Sequence, residues 1–452
     1  PTCSSSIDVK IGMTSDGRMT AGSAVLRMQG GAFPCSTVEM AAQAAFAAYD
    51  LDAVRTQGFN VMTNRPKEAA YRAPGAPMAV YSVESVVDEL CQKLELDPFE
   101  VRLKNAARKG TLSSYGPTFN EIGLADILEE AKNHPHYKAP LGPNQARGVS
   151  CGFWFNFGGN ASVSLAVDPD GTVSVTEGNP DIGGSRASVS MMAAEELGIP
   201  YDKVRTIVAD TASLGFNDIT DGSRVTFMVG IATIAAARAA KAEMCRRVAK
   251  LWGLEEDAVK WEDGAVVPAG PNAGQHEPMT IAEIAAIAGK TGGPIAGHHE
   301  ANTEGAGVSF GVHICDVEVD KETGATKVLR YTAFQDAGRA IHPDYVEGQM
   351  QGGAVQGIGW ALNEEYIYGA DGRLQNPGFL DYRIPVASDL PPIDTVILEI
   401  PNPGHPYGVR GVGETPSVPP LGALSNAISR ACGVRMTQLP MSPPRVLAAL
   451  KG

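Results

Sequence analysis

The sequence predicts an α+β fold in two units. Three observations lead there. Hairpin-like alternation of apolar and polar residues occurs twice, apolar residues at helical spacing follow each time, and strands do not alternate one for one with helices as a doubly wound sheet requires.

Residues 7–32 alternate around Ser15-Asp16-Gly17-Arg18, the pattern of two strands joined by a glycine turn. An Ala-rich segment over 38–48 and an extended piece ending at Asn64-Arg65-Pro66 come next. Helical spacing holds over 80–105, and Asp97-Pro98 divides that stretch into two helices, since Pro is tolerated in a first turn. Periodicity is lost over 108–148, where Gly, Pro, Asn and His collect as in a linker or covering loop. A second hairpin is expected over 162–176 around Asp168-Pro169-Asp170-Gly171, then a helix at 188–197, a strand at 204–209 and a long Ala-rich helix at 229–252. Residues 253–300 read as a polar surface excursion. Strands follow at 310–319 and 326–334, a glycine-bearing helix at 346–362, a strand at 395–400 and a last clear helix at 425–432. The expected organisation is a first unit over 1–108, a linker over 109–148 and a second unit over 149–452.

Composition narrows the function. Lys and Arg total 37 against 51 Asp and Glu, a net charge of −14. That balance counts against nucleic acid or an anionic membrane as partner, and any anionic ligand must be held locally. The apolar run 228–240 is broken by Arg238 and is shorter than the about 20 residues of a membrane span, so no span is expected. The first residues show neither a basic nor an apolar stretch, and a cytoplasmic location is expected. Seven scattered cysteines without a C-x-x-C pair suit a reducing compartment and place any iron–sulfur cluster on another chain.

The 51 glycines exceed the usual share of about 7% by half again. They gather in loops: Arg72-Ala73-Pro74-Gly75, Gly178 to Ser185, Asp221-Gly222-Ser223, Gly348 to Gly357 and Gly408 to Glu414. Several precede helices, where free N–H groups and the helix dipole suit a phosphate. None follows the P-loop or the G-x-G-x-x-G pattern, so a ligand would be held by dispersed loops. Glu414 stands between Gly413 and Thr415-Pro416 among small and apolar residues. Poor solvation there raises a carboxylate pKa towards that of a general base, and a helix-capping carboxylate is the competing reading.

Ala70-Tyr71-Arg72-Ala73-Pro74-Gly75-Ala76-Pro77, Glu84 to Leu90 and Asp97-Pro98-x-Glu100-x-Arg102-x-Lys104-Asn105 resemble the first cofactor-binding subdomain of the xanthine dehydrogenase/aldehyde oxidase molybdenum hydroxylases. Asp336-x-Gly338-Arg339-x-x-His342-Pro343, the 348–357 run, Gly411-x-Gly413-Glu414-Thr415-Pro416 and Asn426-Ala427-Ile428 resemble the second. The resemblance implies two molybdopterin-binding subdomains, the first incomplete because its N-terminal part is not in this sequence. A separate chain supplying that part is one expectation, and a fragment of a longer chain the other. Molybdenum would be held by molybdopterin, in bacteria usually as the cytosine dinucleotide, with no metal ligand from protein side chains.

The implied reaction hydroxylates an electrophilic carbon of an aromatic N-heterocycle or an aldehyde, with water as oxygen source and Glu414 as catalytic base. Electrons would leave through [2Fe–2S] clusters on an iron–sulfur subunit to FAD on a flavin subunit. By the same resemblance Arg72 and Ala73 run past the metal. Gly183, Gly184, Ser185, Thr220, Gly222, Ser223, Gln356 and Gly413 fall in the loops that contact the pterin and its phosphates. For Gln356 the competing role is an amide capping a helix, and for Ser223 a helix N-cap. Phe153, Phe155 and Phe157 fall near the substrate channel, or in part in the core. Ala73 stands where the carbon monoxide dehydrogenase branch carries a cysteine, which disfavours CO oxidation. Ile182-Gly183-Gly184-Ser185 stands where many relatives carry G-Q-G. A non-catalytic cofactor-holding or assembly subunit is the alternative function.

Overall fold

A computed structural model describes residues 3–452; Pro1 and Thr2 of the expected first unit lie outside the described residues. Strands β1 (Ser5–Met13) and β2 (Met19–Gly31) form the expected antiparallel hairpin. The short helix α1 (Val38–Ala44) then returns the chain so that β3 (Ala53–Met62) pairs parallel to β2. Helix α2 (Ala76–Leu94) starts after Gly75, whose φ of 82° is open to glycine. Asp97 caps α3 (Pro98–Asn105), its carboxylate accepting from Phe99 N at 2.8 Å and Glu100 N at 3.0 Å.

The segment expected as a linker is structured. Helices α4 (Leu124–Asn133) and α5 (Pro135–Lys138) lie within it, and Leu124, Ile127, Leu128 and Ala131 are buried against the strands beneath. Its Gly and Pro residues flank a one-faced helix instead of replacing it.

From here two structures interleave. Strands β4 (Gln145–Trp154), β5 (Phe157–Val167) and β6 (Val173–Glu177) lead to α6 (Ser185–Leu197), β7 (Val204–Ile207) and α7 (Val225–Trp252). Residues 253–300 are more than an excursion. They hold a small sheet of β8 (Val259–Glu262), β9 (Ala265–Pro268) and β10 (Met279–Thr280), then α8 (Ile281–Ala286), α9 (Ala288–Thr291) and the start of β11 (Ile295–Gly305). Strand β11 pairs with β5, giving the order β11-β5-β6-β7. Strands β12 (Ser309–Val319) and β13 (Thr326–Asp336) join β4, and β14 (Ile393–Leu398) completes the order β14-β13-β12-β4 after α10 (Pro343–Leu362). Helices α11 (Pro419–Cys432) and α12 (Pro443–Lys451) close the chain.

Three large cores result. Residues 161–306 form a lobe with its own core, in which α6 and α7 cover the sheet. The other two cores mix early and late sequence. Leu26, Phe46, Val83 and Val87 pack with Val317, Tyr331, Leu424 and Val446, and Phe99 and Leu128 pack with Phe153, Phe310 and Phe334. The apolar run expected to be too short for a membrane lies inside α7, which at 28 residues is long and apolar enough to cross one. Its apolar residues are instead spent in the lobe core against β5, β11 and α6.

Candidate active site

Where the lobe meets the body, a cavity of about 490 Å³ opens between the N-termini of α6, α7 and α10 and the loops at 70–74, 337–342 and 409–414. The helices have 13, 28 and 20 residues, so three well-formed dipoles present their positive ends to one space. Two glycines make the approach possible. At Gly183, φ 71°, a Cβ would lie 2.5 Å from the Gln349 amide. At Gly222, φ 60°, it would lie 2.3 Å from the Phe157 ring.

Glu414 reaches this cavity from the turn before α11. Its Oε1 accepts from Ala73 N at 3.1 Å and its Oε2 from Ser223 Oγ at 2.9 Å. Burial pushes its carboxyl up to about 7, against the opposing effect of these two donors. Asp221 nearby also disfavours the charged form and Arg72 favours it. Among the described residues, Glu414 accepts no hydrogen bond from a cation, and its side chain caps no helix. The arrangement is a carboxylate poised to exchange a proton near neutral pH.

Arg72 ties three elements together. Its Nε donates to Gly413 O, one guanidinium nitrogen to Gln356 Oε1 at 3.2 Å, and the other to Gln349 O at 3.0 Å and Gln349 Oε1 at 3.1 Å. Gln349 and Gln356 are seven residues apart, two turns of α10, and so share the face that Arg72 meets. Gln356 thus holds an arginine and is not on the cavity wall.

Of the residues expected at the site, Arg72, Gly183, Ser185, Thr220, Gly222, Ser223, Gly413, Glu414 and Phe157 line the cavity. Ala73 is buried behind it and supplies an N–H to Glu414. Gly184 packs under the Tyr345 ring, at φ 86°. Phe153 is a correction: it is fully buried between Phe119, Phe155 and Phe310, because β4 is covered on both faces. Phe155 is the half-buried link between them, its ring 4.9 Å from Phe153 and stacked 6.2 Å from Phe157.

Gln349, Arg339, His342 and Tyr345 are site residues that the sequence does not single out, and Asp221 lies in the loop expected at the cofactor. His342 and Tyr345 stack at 3.9 Å at the start of α10 and line the cavity with the other three. Spacing of seven in the Gly348–Gly357 run was the signal for Gln349.

The residues present fit a phosphate-bearing organic cofactor. The chain carries −14 overall, yet the cavity lining holds Arg72, Arg224, Arg339 and Arg410 against Asp221 and Glu414. Arg410 is paired with the buried Asp336 at 3.0 Å and Arg339 with Glu195 at 2.9 Å, so the excess positive charge comes from Arg72 and Arg224. Arg224 spends its guanidinium on Gly158 O, Asn160 O, Asp218 O and Ile219 O, so it contributes field and not contact. Among the described residues no group of three or more His, Cys, Asp or Glu is placed to ligate a metal. A cofactor-binding protein with a half-buried carboxylate beside an anion cradle is the class that fold and site define.

Sequence profiles described as Molybdopterin cofactor-binding domain match residues 128–391 and 3–106. The chain belongs to the molybdenum hydroxylase large-subunit family, with xanthine dehydrogenase and aldehyde oxidoreductase among its relatives. It is 31% identical over 411 residues to the putative xanthine dehydrogenase molybdenum-binding subunit of Escherichia coli (strain K12), covering 85% of this chain and 54% of that one. To the nicotine 6-hydroxylase large subunit of Paenarthrobacter nicotinovorans it is 28% identical, covering 99% of this chain and 59% of that one. The crystal structure of quinoline 2-oxidoreductase from Pseudomonas putida 86 superposes with a TM-score of 0.91 at 25% identity, over 99% of this chain and 62% of that chain. The chain therefore spans about half the length of the curated relatives it matches.

Proposed function

We propose that the chain is the catalytic portion of a molybdenum hydroxylase that oxidises an electrophilic C–H carbon of an aromatic N-heterocycle or an aldehyde. Water is the oxygen source. The observation that carries this reading is Glu414, a carboxylate with a pKa of about 7 at an anion-suited cavity, held by Ala73 N–H and Ser223 O–H. When bound, molybdenum on its pterin supplies the two-electron oxidation of carbon. The chain's own residues do the rest. Backbone N–H groups around Gly183, Ser185 and Gly222 to Val225 hold the phosphates, and three helix N-termini around one cavity favour the dinucleotide form over a single phosphate. Arg72 fixes the Gly413 carbonyl next to the base, and Glu414 takes up the proton at a carboxylate oxygen. Phe157 offers an apolar wall to substrate.

Scattered cysteines support [2Fe–2S] clusters and FAD on partner chains in a cytoplasmic complex, and the greater length of the relatives supports a further polypeptide segment completing the first subdomain. The test is Glu414→Gln in the cofactor-loaded complex. Turnover should fall by about 10²–10⁴ with molybdenum and pterin content unchanged. Retained turnover would refute the base, and loaded but inactive wild-type protein would mark a cofactor-holding subunit instead.

A further inference from the structure

Among the described residues, seven non-glycine residues have positive φ. Glu95 ends α2, and Asn144, Asn156 and Asp263 belong to the types that tolerate this region. Ala73, at φ 58°, Ser223, at φ 59°, and Ala209, at φ 60° in the loop after β7, do not. Ala73 and Ser223 are also the two donors to Glu414, one to each carboxylate oxygen. Such strain persists only where the surroundings dictate it, and here they do. A Cβ on Gly411 would lie 2.1 Å from Ser223 O, and one on Gly413 would lie 3.3 Å from Ser223 Oγ, so the loop carrying Glu414 is fitted against Ser223. Ala73 is fully buried between that loop and Gly75, which itself sits at φ 82°.

We propose that Ala73 and Ser223 form a two-point clamp that fixes the plane of the Glu414 carboxylate, with Ser223 the positioning residue that sets its proton affinity. The clamp rests on the reading of Glu414 as base. The hydroxyl and the amide both favour the anion. Arg72 acts in the same direction, and burial and Asp221 act against it. Removing one donor leaves burial less opposed, so the carboxyl should hold its proton to higher pH.

The experiment is infrared titration of the Glu414 carboxyl band in the full chain without added cofactor, identified by subtraction of the Glu414→Gln spectrum. Ser223→Ala keeps the backbone strain and Ser223→Gly releases it, and both remove the hydroxyl. Each should move the titration upward by about one pH unit, which lowers the anionic fraction at pH 7 roughly fivefold. In the loaded complex, kcat should fall at neutral pH and recover at higher pH, with KM little changed. An unmoved carboxyl titration in whichever of the two variants folds overturns the clamp. A moved titration combined with active Glu414→Gln enzyme overturns the base and leaves the clamp standing.

Discussion

Two carboxylates in this molecule, Glu84 buried and Glu414 half-buried at the cavity, have opposite surroundings. Glu84, where α2, α3 and β4 meet, lies 2.8 Å from the Arg102 guanidinium and also accepts from the Cys151 N–H at 2.9 Å and from the Tyr49 hydroxyl. Arg102 in turn donates to Pro98 O and Val149 O. Among the described residues Glu414 has two neutral donors, and it faces a cavity. A buried carboxylate with a cation and a full set of donors holds elements together, whereas a half-buried one denied a direct cation contact is left to hold a proton.

That contrast can be broken at either end. The largest effect should come from Arg102→Ala, which removes the cation from Glu84 in a buried site and should cost about 3–5 kcal/mol of stability by denaturant unfolding. At the other end, the Glu414 carboxyl is raised to about 7 in the folded chain from an ordinary 4.5. Its contribution to stability is complete below about pH 4.5 and is lost as pH rises through about 7. Between pH 5 and 9 the wild-type chain should therefore lose about 2–3 kcal/mol relative to Glu414→Gln. Taking the difference cancels Glu177, which burial also pushes up to about 7. The smallest effect belongs to Gln349→Ala, which removes one acceptor from Arg72 but leaves the Gln356 amide and two backbone carbonyls. It should cost about 0.5–1.5 kcal/mol and lower turnover less than tenfold, measured by melting and steady-state kinetics.

Much of this was legible in the sequence, and the misses have physical causes. Hairpins and capped helices announced themselves through local chemistry, as at Asp97-Pro98. Helix α4 carries Leu124, Ile127, Leu128 and Ala131 at helical spacing, but it is short and set among residues that usually break helices. Phe153 sits on a strand covered on both faces, where alternation no longer tells inside from outside. Glu414 could be picked out by its apolar neighbours. What Ser223 does could not, because its φ of 59° depends on how closely Gly411 approaches from nearly two hundred residues away.

The mixed cores also impose an order of events during synthesis. The lobe of residues 161–306 can close its core once its own strands and helices have emerged from the ribosome. Leu26 and Val87 cannot complete theirs until Leu424 and Val446 arrive, which at ordinary elongation rates is a delay of about 20–70 s. For that interval the apolar faces of Leu26 and Val87 wait for partners that the lobe of residues 161–306 finds within itself.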